Sequence, residues 1–456
     1  MEKYDEDEAH EGEEEDEVHA ITYSCIMAPN RCTKRFLHLS DTFIALVIVT
    51  PLVVGHWYGT WEFMNNHAEY FPPIPTILFG TCYHLLIVLS RHHVHEKVKT
   101  PHLRDRTLMQ KVGRYIFTKL FIYVFSIACI MAFRAIFVLC EPYDNGVSRA
   151  ILLMILSGTA LACLKSVRNI IAPPVAIATD CKSVSFAFPT RFKSHASNEP
   201  GFYFIDCAFS VIVIGTLVVL VWRSLWVLFD LLIFPGEPIL SAYYSVAIGY
   251  GIVAITFALQ PLMKWSCDRL TGFWRVAVCD AFLFFSFVGT VNVWRGIWEL
   301  LDLLFLPDDP LLSNILTHSV SFVLLAMLNC SNSVLVRGVF IDAEEPAGQC
   351  VIFPVHYIRL FVQKERTKKQ RRMIDMLEKG ELQTELLEKS EKNTIQIVKG
   401  LSKSNEMTNM AANLPKNVPN IENGSEKPCQ LYENGLDKEN HLYENGVENG
   451  EHKIGQ

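Results

Sequence analysis

The segment 222–241, WRSLWVLFDLLIFPGEPILS, recurs at 294–313 as WRGIWELLDLLFLPDDPLLS. Eleven of the twenty positions are identical, and each copy holds two apolar runs joined by an acidic turn that contains two prolines. Two such runs, each inside a longer apolar stretch, indicate a pair of membrane-crossing helices. Repetition of the pair indicates internal duplication. The stretch therefore predicts an all-α, polytopic membrane protein.

Two fainter copies of the unit lie upstream. Trp57 and Trp61 repeat the four-residue spacing of the tryptophans, and Phe133-Arg134 stands where the later copies have Trp-Arg. An acid follows the first aromatic residue by eight positions in three copies, whereas the first copy has Asn65 there. Four units predict eight transmembrane helices, arranged as four parallel two-helix repeats. The candidate interaction motif comprises Trp57, Trp61, Phe133, Arg134, Glu141, Trp222, Arg223, Trp226, Asp230, Trp294, Arg295, Trp298 and Asp302.

Composition places the membrane part between two polar ends. Half of the 456 residues are hydrophobic, and eight apolar runs approach the length that crosses a ~30 Å hydrocarbon layer. Residues 1–35 form an acidic segment whose composition is typical of disordered chain. The membrane domain is predicted over 36–340. Its spans are predicted near 42–61, 74–90, 115–140, 147–165, 202–226, 238–260, 276–299 and 311–335.

The chain after the last span divides in two. Residues 341–400 carry a polybasic block and a charged helical pattern, and 401–456 is a low-complexity tail with four Glu-Asn-Gly copies, predicted to be disordered. A basic cluster beside a membrane attracts anionic lipid headgroups by ~1 kcal/mol per charge. The same block equally suits the ordinary basic flank of a last span. The candidate lipid-binding residues are Lys364, Arg366, Lys368, Lys369, Arg371 and Arg372.

The distribution of Lys and Arg predicts the orientation. The loops 91–114, 165–201 and 264–275 carry several basic residues each, whereas the intervening turns carry none. Since Lys and Arg are retained on the cytosolic side during insertion, both termini are predicted to be cytosolic and the acidic turns to face outside. Every unit then starts from the same side, which makes the repeats parallel. The short turns predict that the two helices of each unit form an antiparallel hairpin.

The tryptophans allow two interpretations. They fit an aromatic belt at headgroup depth, where an amphipathic ring is favourable. Because positions i and i+4 share one helix face, each pair would also be able to pack into the neighbouring repeat.

The arginine that follows the first aromatic residue also has two interpretations. It would be able to extend along the helix to the outer interface, as long cationic side chains do. However, three units use Arg, whose planar guanidinium binds carboxylates. We therefore predict that the Arg of one hairpin contacts the acid of its own turn or of an adjacent hairpin. On this basis, reversal of charge at Arg295 should be partly compensated by reversal at Asp302.

Three further acids, Asp41, Asp206 and Asp280, lie near the predicted cytosolic starts of the first helices. An acid at the start of a helix usually caps it or interacts with its dipole. Ionisable groups inside a membrane are also candidates for an ion path, so the alternative is a ring that lines a cytosolic vestibule.

Signals for catalysis and for cofactors are lacking in the sequence. It contains no P-loop, no G-x-S-x-G and no H-E-x-x-H, and its cysteines lack the C-x-x-C spacing of a zinc site. We therefore expect no enzymatic activity, no cofactor, no metal and no nucleic-acid partner. The lipid bilayer is the expected partner, with anionic lipids at the polybasic block.

The W-R-x-x-W-x3-D-L-L hairpins at 222–232 and 294–304, together with eight spans and cytosolic termini, resemble the fuseless family of eight-span membrane proteins. The resemblance covers roughly 36–345. It implies a neuronal plasma-membrane protein that acts in presynaptic transmission and helps to place voltage-gated calcium channels at the active zone, through contacts with membrane or cytosolic synaptic proteins. The alternative, favoured by the parallel repeats and the acids at the helix starts, is a transporter or ion channel.

Overall fold

The computed structural model places most of the predicted membrane domain. It describes residues 31–91, 108–143, 146–180, 186, 188–194, 199–336, 338–344, 348–355, 357–359, 362, 365–369 and 372. Residues 1–30 of the acidic segment and the tail 401–456 lie outside the described residues, as do Lys364 and Arg371 of the polybasic block.

The described part of the chain is all-helical, as predicted, and contains no strand. Eight principal helices follow one another. They are α1 (Arg31–Ile44, a π-helical turn at Ala45–Val49, and Thr50–Asn66), α2 (Pro73–Leu89), α3 (Leu108–Cys140), α4 (Val147–Cys163), α5 (Pro200–Ala208, a π-helical turn at Phe209–Ile214, and Gly215–Leu232), α6 (Pro238–Arg269), α7 (Gly272–Leu304) and α8 (Pro310–Met327).

Six of these helices are long and apolar enough to cross a membrane, which makes the chain a multi-pass membrane protein. They are Phe36–Asn66, Val112–Cys140, Pro200–Leu232, Pro238–Arg269, Gly272–Leu304 and Pro310–Met327. The other two, α2 and α4, are apolar and have 17 residues each.

Proline and aspartate at the acidic turns begin and cap the helices that follow. Pro238 and Pro310 begin α6 and α8, where the missing N–H leaves no helical bond unmade. The Asp309 side chain accepts a hydrogen bond from the Leu312 amide at 3.0 Å and so caps α8. We refer to the end of the molecule that carries these turns as the acidic end, and to the opposite end as the basic end.

The closest helix packing joins different predicted units. The second helix of each unit packs on the first helix of the next: α2 on α3, α4 on α5, α6 on α7 and, closing a ring, α8 on α1. The first helices α1, α3, α5 and α7 also contact one another around the centre. The prediction that the two helices of one unit pack directly on each other is corrected, because a short turn fixes their direction but not which small-residue faces meet.

Glycine permits the closest of these helix contacts. A Cβ atom added at Gly59 of α1 would lie 2.5 Å from the Asn314 carbonyl oxygen of α8. A Cβ added at Gly249 of α6 would lie 2.5 Å from the Val293 amide nitrogen of α7. Because both neighbouring atoms belong to backbone, the helices approach at a distance that only glycine allows.

Two mostly irregular stretches, which we call the plug segments, follow α4 and α8. They extend over 164–194 and 328–359 within the described residues. Each contains one short 3-10 helix, Val167–Ile170 in the first and Ser331–Val334 in the second. The first 3-10 helix contacts α5 and α7, and the second contacts α1 and α3.

The plug segments correct two predicted boundaries. The spans predicted at 147–165 and 311–335 end instead at Cys163 and Met327. The apolar residues beyond these ends belong to the plug segments, whose backbone can leave the helical conformation because it is buried in protein rather than in lipid.

Candidate functional site

The first aromatic residues of the four units meet at the centre of the ring of inner helices. Three contacts join them, all edge-to-face: Trp57–Phe133 at 5.2 Å between ring centroids, Trp57–Trp294 at 5.7 Å and Trp222–Trp294 at 5.3 Å. Edge-to-face pairs of this kind contribute ~0.5–1.5 kcal/mol each beyond the area they bury. We call this set of four rings the first aromatic tier.

The aromatic residues four positions later form a second tier, one helical turn closer to the acidic end. Its contacts are Trp61–Phe137 at 5.0 Å, Trp61–Trp298 at 5.6 Å and Trp226–Trp298 at 5.7 Å. Each contact of the first tier recurs four residues later in the second tier, because positions i and i+4 lie on the same helix face. The two tiers together fill the centre of the ring with aromatic side chains from all four units.

The aromatic-belt interpretation does not hold for the first tier. Trp57, Trp222 and Trp294 are only 5–8% exposed. Trp222 lies ten residues before Leu232, the last residue of α5, which corresponds to ~15 Å along the helix axis. Packing between repeats, the second interpretation, agrees with these positions.

The indole N–H groups of the first tier bind the plug segments. Trp222 donates to the Ile170 carbonyl at 3.1 Å, and Trp57 donates to the Val334 carbonyl at 3.0 Å. Both acceptors are the last residue of a 3-10 helix. Trp294 donates to the Pro173 carbonyl at 2.7 Å. Three indoles thus provide donors for carbonyls of non-helical backbone that is buried in the membrane domain.

Polar contacts between successive units follow one rule near the acidic end. One partner is the residue that directly follows the first aromatic residue of a unit. The other partner belongs to the preceding unit and lies eight positions after the first aromatic residue of that unit. Three such contacts are present: Arg134 Nε to Asn65 Oδ1 at 2.7 Å, Arg295 Nε to Asp230 Oδ1 at 2.6 Å and, from the first unit to the last, Tyr58 Oη to Asp302 Oδ1 at 3.2 Å. Arg295 therefore contacts an acid of an adjacent hairpin, as predicted, whereas Arg134 contacts the Asn65 amide of an adjacent hairpin instead of an acid.

Arg223 and Glu141 complete the set of motif residues. The Arg223 guanidinium lies 5.3 Å from the ring centre of Phe137, in the preceding unit, in a cation–π contact. Glu141 is exposed just beyond the end of α3. Arg134, Arg223 and Arg295 are 3–8% exposed, so these guanidinium groups do not extend to water as the alternative interpretation required.

Arg295 contacts several polar groups. Besides Asp230, it forms an ion pair with Glu299 at 2.6 Å and donates to the hydroxyl oxygens of Ser241 and Ser245 at 2.9 and 2.6 Å. The partner acid predicted for a charge-reversal test, Asp302, instead accepts from Tyr58. That prediction is corrected, because the ring geometry brings each arginine to the preceding unit rather than to its own turn.

Each plug segment provides one aspartate that accepts hydrogen bonds from the backbone of the other segment. Asp342 of the second segment accepts hydrogen bonds from the amides of Val167 and Arg168, both at 2.7 Å. Asp180 of the first segment accepts from the amides of Ser331 and Asn332, at 3.0 and 2.7 Å. Each aspartate therefore caps the 3-10 helix of the other segment, where unsatisfied amides and a partial positive charge are located.

The two caps differ in how their charge is balanced. Asp180 forms an ion pair with Lys119 of α3. Burial raises the pKa of the Asp342 carboxyl, and the amide hydrogen bonds from Val167 and Arg168 oppose that rise. The two amides contribute most to stabilising the Asp342 carboxylate in its buried site, and the positive charges of Arg168 and Arg191 contribute less.

The acids near the predicted cytosolic helix starts bind chain segments rather than line a vestibule. Asp206 is fully buried and accepts from the amides of Phe192 and Ser194, both at 3.0 Å. Asp41, also fully buried, accepts from the Tyr357 amide at 3.1 Å and from the Arg359 side chain at 2.6 Å. Both carboxylates therefore attach the far ends of the plug segments to an inner helix.

Asp280 differs from these two acids. Its Oδ1 atom is buried and accepts no hydrogen bond from the described residues. The interpretation of the three acids as one shared ring is therefore not supported, because two of them are occupied by separate chain segments.

An Asp180→Asn substitution is expected to release the second plug segment. The asparagine side chain carries no charge, so the ion pair with Lys119 is lost. It also has one acceptor oxygen instead of two for the backbone amides of Ser331 and Asn332. Breaking a buried pair of this kind costs ~3–5 kcal/mol. Hydrogen–deuterium exchange in 331–334 should therefore become faster. Asp308→Asn, in an exposed acidic turn, is the control, and unchanged exchange in the Asp180 variant would contradict the capping role.

Part of the polybasic block is described. Arg366, Lys368 and Lys369 lie on one short helical stretch, and Lys368 forms an exposed ion pair with Glu365 at 2.6 Å. Exposed pairs of this type contribute little stability. Lipid binding by the block therefore stays a prediction.

The sequence interpretation missed the plug segments and a histidine pair, in which His56 is fully buried and His318 is partly buried. A signal for the plug segments exists in hindsight: Phe-Pro-x-x-aromatic occurs at 188–192 and again at 353–357. The aromatic ends of both copies, Phe192 and Tyr357, donate their amides to buried aspartates. No comparable pattern marks the histidines, which stand singly in apolar runs.

Comparison with known proteins identifies the family of the chain. The model of the family described as Fuseless matches residues 36–335, which is more than half of the chain and contains the complete ring of helices. No curated protein and no solved structure gives a match. The extent of the family match confirms the resemblance inferred from the Trp-Arg hairpins: the chain belongs to the fuseless family.

Proposed function

We propose that this chain is a non-enzymatic membrane organiser of the neuronal plasma membrane, which acts in presynaptic transmission by holding voltage-gated calcium channels at the active zone. In this proposal eight helices cross the membrane as four parallel hairpins, and both termini are cytosolic. The family relationship and the basic loops between the units support this arrangement.

The filled centre of the ring is the observation that carries the organiser proposal. The two aromatic tiers occupy the axis on which four parallel units would otherwise form a conduction path. The plug segments contact the same inner helices from the basic end. A rigid, tightly filled bundle supports a scaffold that presents its surface and termini to partners better than a carrier that must rearrange its core.

A transporter or ion channel is the alternative function. Charged groups within apolar helices favour it, above all the buried Arg295 with the partly exposed Asp230, since ionisable groups in membrane spans commonly belong to a solute path. In the organiser proposal the same groups hold successive units together.

Affinity capture from neurons tests the organiser proposal. A tagged full-length chain should recover calcium-channel subunits, and staining should place it at nerve terminals. A chain that ends after Gly400 keeps the membrane domain and serves to assign the contact to the tail or to the helices. Capture without any calcium-channel subunit would contradict the proposed role.

Reconstitution tests the alternative. The purified full-length chain in liposomes should give no solute flux or current above protein-free vesicles. Robust flux that is lost in an Arg295→Gln variant, with retained folding, would overturn the organiser proposal in favour of transport.

Epitope accessibility in intact cells tests the orientation. A tag inserted after Gly236 in an acidic turn should be labelled without permeabilisation, whereas a tag at the C-terminus should be labelled only after permeabilisation. Labelling of the C-terminal tag on intact cells would contradict the predicted topology.

A further inference from the structure

The end of the second plug segment is attached to α1 by a buried carboxylate. Asp41 of α1 is fully buried. Its carboxylate accepts hydrogen bonds from the backbone amides of Tyr357 and Ile358 and from the Arg359 guanidinium, whose Nε atom lies 2.6 Å from Asp41 Oδ2. A buried carboxylate holds such donors firmly, because a lone buried charge is costly. The attachment therefore joins the start of the membrane domain to its end.

This attachment brings together the places from which two stretches of opposite charge extend. α1 begins at Arg31, ten residues before Asp41, which corresponds to ~15 Å along a helix. Arg366 follows Arg359 by seven residues, which extend over ~25 Å at most. With the lengths of the two joined side chains included, Arg31 and Arg366 lie within ~50 Å of each other.

The two stretches differ strongly in charge. Residues 1–17 contain eleven acids and a single lysine, whereas the block after Arg359 is basic. Three described residues of that block are exposed and share one short helical stretch, and we call them the basic face: Arg366, Lys368 and Lys369. Lys368 pairs with Glu365, but both side chains are 52% exposed, so this ion pair gives way to another anion at little cost.

Several other described cations at the basic end already have partners inside the domain. Lys119 forms an ion pair with Asp180. Three arginines donate to backbone carbonyl oxygens: Arg91 to Ser194, Arg191 to Leu164 and Arg275 to Ala343. The basic face differs from these groups, because its side chains lie at the surface, where an anionic segment is able to reach them.

The length of the chain before α1 suits a contact with the basic face. Thirty residues precede Arg31, and an extended chain of that length spans ~100 Å, which exceeds the ~50 Å between the two attachment points. A tethered partner acts at an effective concentration that reaches the millimolar range, so weak pairing of charges is sufficient for binding. Anionic lipid headgroups are attracted to the same face, and they therefore compete with the acidic segment.

We propose that the basic face is the docking surface of the chain's own acidic segment, residues 1–17. The segment covers Arg366, Lys368 and Lys369 in a neutral membrane, through its carboxylates, and anionic lipids displace it. The acidic segment thereby limits the attraction of this part of the chain to anionic lipid. The contact does not depend on the proposed synaptic role or on which side of the membrane the basic end faces, because the Asp41 attachment holds both stretches at the same end.

Zero-length cross-linking of the full-length chain in nanodiscs tests the docking surface. A water-soluble carbodiimide joins a carboxylate to a lysine amine in contact with it, and mass spectrometry identifies the joined residues. In phosphatidylcholine nanodiscs we expect cross-links from 2–17 to Lys368 and Lys369. High salt should abolish them, because it screens exposed charges. Replacing about one third of the lipid with phosphatidylserine should lower their yield severalfold. Cross-links from 2–17 that reach other lysines alone, or none at all, would overturn the proposal.

Two variants of the full-length chain separate charge pairing from chance proximity. The first neutralises four acids of the segment: Glu13→Gln, Glu14→Gln, Glu15→Gln and Glu17→Gln. It should lower the yield from the remaining acids at least about threefold and lower the phosphatidylserine fraction that displaces the segment. The second neutralises four acids of the tail and is the matched control: Glu422→Gln, Glu433→Gln, Glu444→Gln and Glu448→Gln. It should behave as the wild type, and an equal response of both variants, or cross-links that are insensitive to phosphatidylserine, would contradict a specific docking surface.

Discussion

Replacing Arg295 with alanine is expected to destabilise the membrane domain by ~3 kcal/mol. The substitution leaves Glu299 and two serine hydroxyls without the guanidinium that binds them. Removing one partner of a buried pair costs ~3–5 kcal/mol, and the lower value applies because the Asp230 side chain is 43% exposed. Unfolding of the purified chain in detergent, followed by intrinsic tryptophan fluorescence, measures the loss.

A charge swap distinguishes a specific contact from a general need for charge. Arg295→Asp combined with Asp230→Arg should recover part of the stability that Arg295→Asp loses, because the two positions face each other across successive units. Arg295→Asp combined with Asp302→Arg should recover none, since Asp302 contacts Tyr58 at another unit interface. Equal recovery by both combinations would contradict the rule that each unit binds the preceding one.

Replacing Gly249 with alanine is the second change with a large expected effect. The new methyl group would lie 2.5 Å from the Val293 amide nitrogen and 2.8 Å from a Val293 methyl group, so α6 and α7 would have to move apart. Overpacking costs ~1–3 kcal/mol, and the upper value is expected because the obstructing atom belongs to backbone. The midpoint of unfolding in mixed micelles should fall accordingly.

Gly251→Ala in the same helix is the control for this change. A Cβ added at Gly251 meets no atom within 4 Å, and alanine is the better helix former in water-soluble hosts. Its stability should equal or exceed that of the wild type. Equal destabilisation by both substitutions would contradict close packing against α7 as the reason that position 249 requires glycine.

Much of the local structure could be predicted because it depends on neighbouring residues. The prolines that begin α6 and α8 are examples, since their φ angle and missing N–H act on the adjoining turn alone. The class of partner for Arg295 could also be predicted from the chemistry of its guanidinium. The identity of that partner could not, because Asp230 and Asp302 are equivalent positions of two copies and only the order of the units around the ring separates them.

The plug segments could not be predicted for a different reason. Their apolar residues continue the hydropathy of α4 and α8, so composition assigns them to the spans. Those helices end because distant partners form hydrogen bonds with the backbone that follows them. Asp180 and Asp342 accept from amides of the 3-10 helices, and Trp57 and Trp222 donate to the carbonyls at the ends of these 3-10 helices. Even the nearest of these partners in sequence lies 52 residues away, so the set leaves no periodic signal.

The sequence by itself determined the class of this protein, its helices, its repeated motif and its family, because hydrophobicity and turn chemistry act over a few residues at a time. Only the tertiary structure decided that the tryptophans fill the centre of the ring rather than lie at the headgroups, and that His56 meets His318. These outcomes depend on which helix faces meet when the last helix packs on the first. That choice is made by close contact between backbones at glycine, and not by any one stretch of the chain.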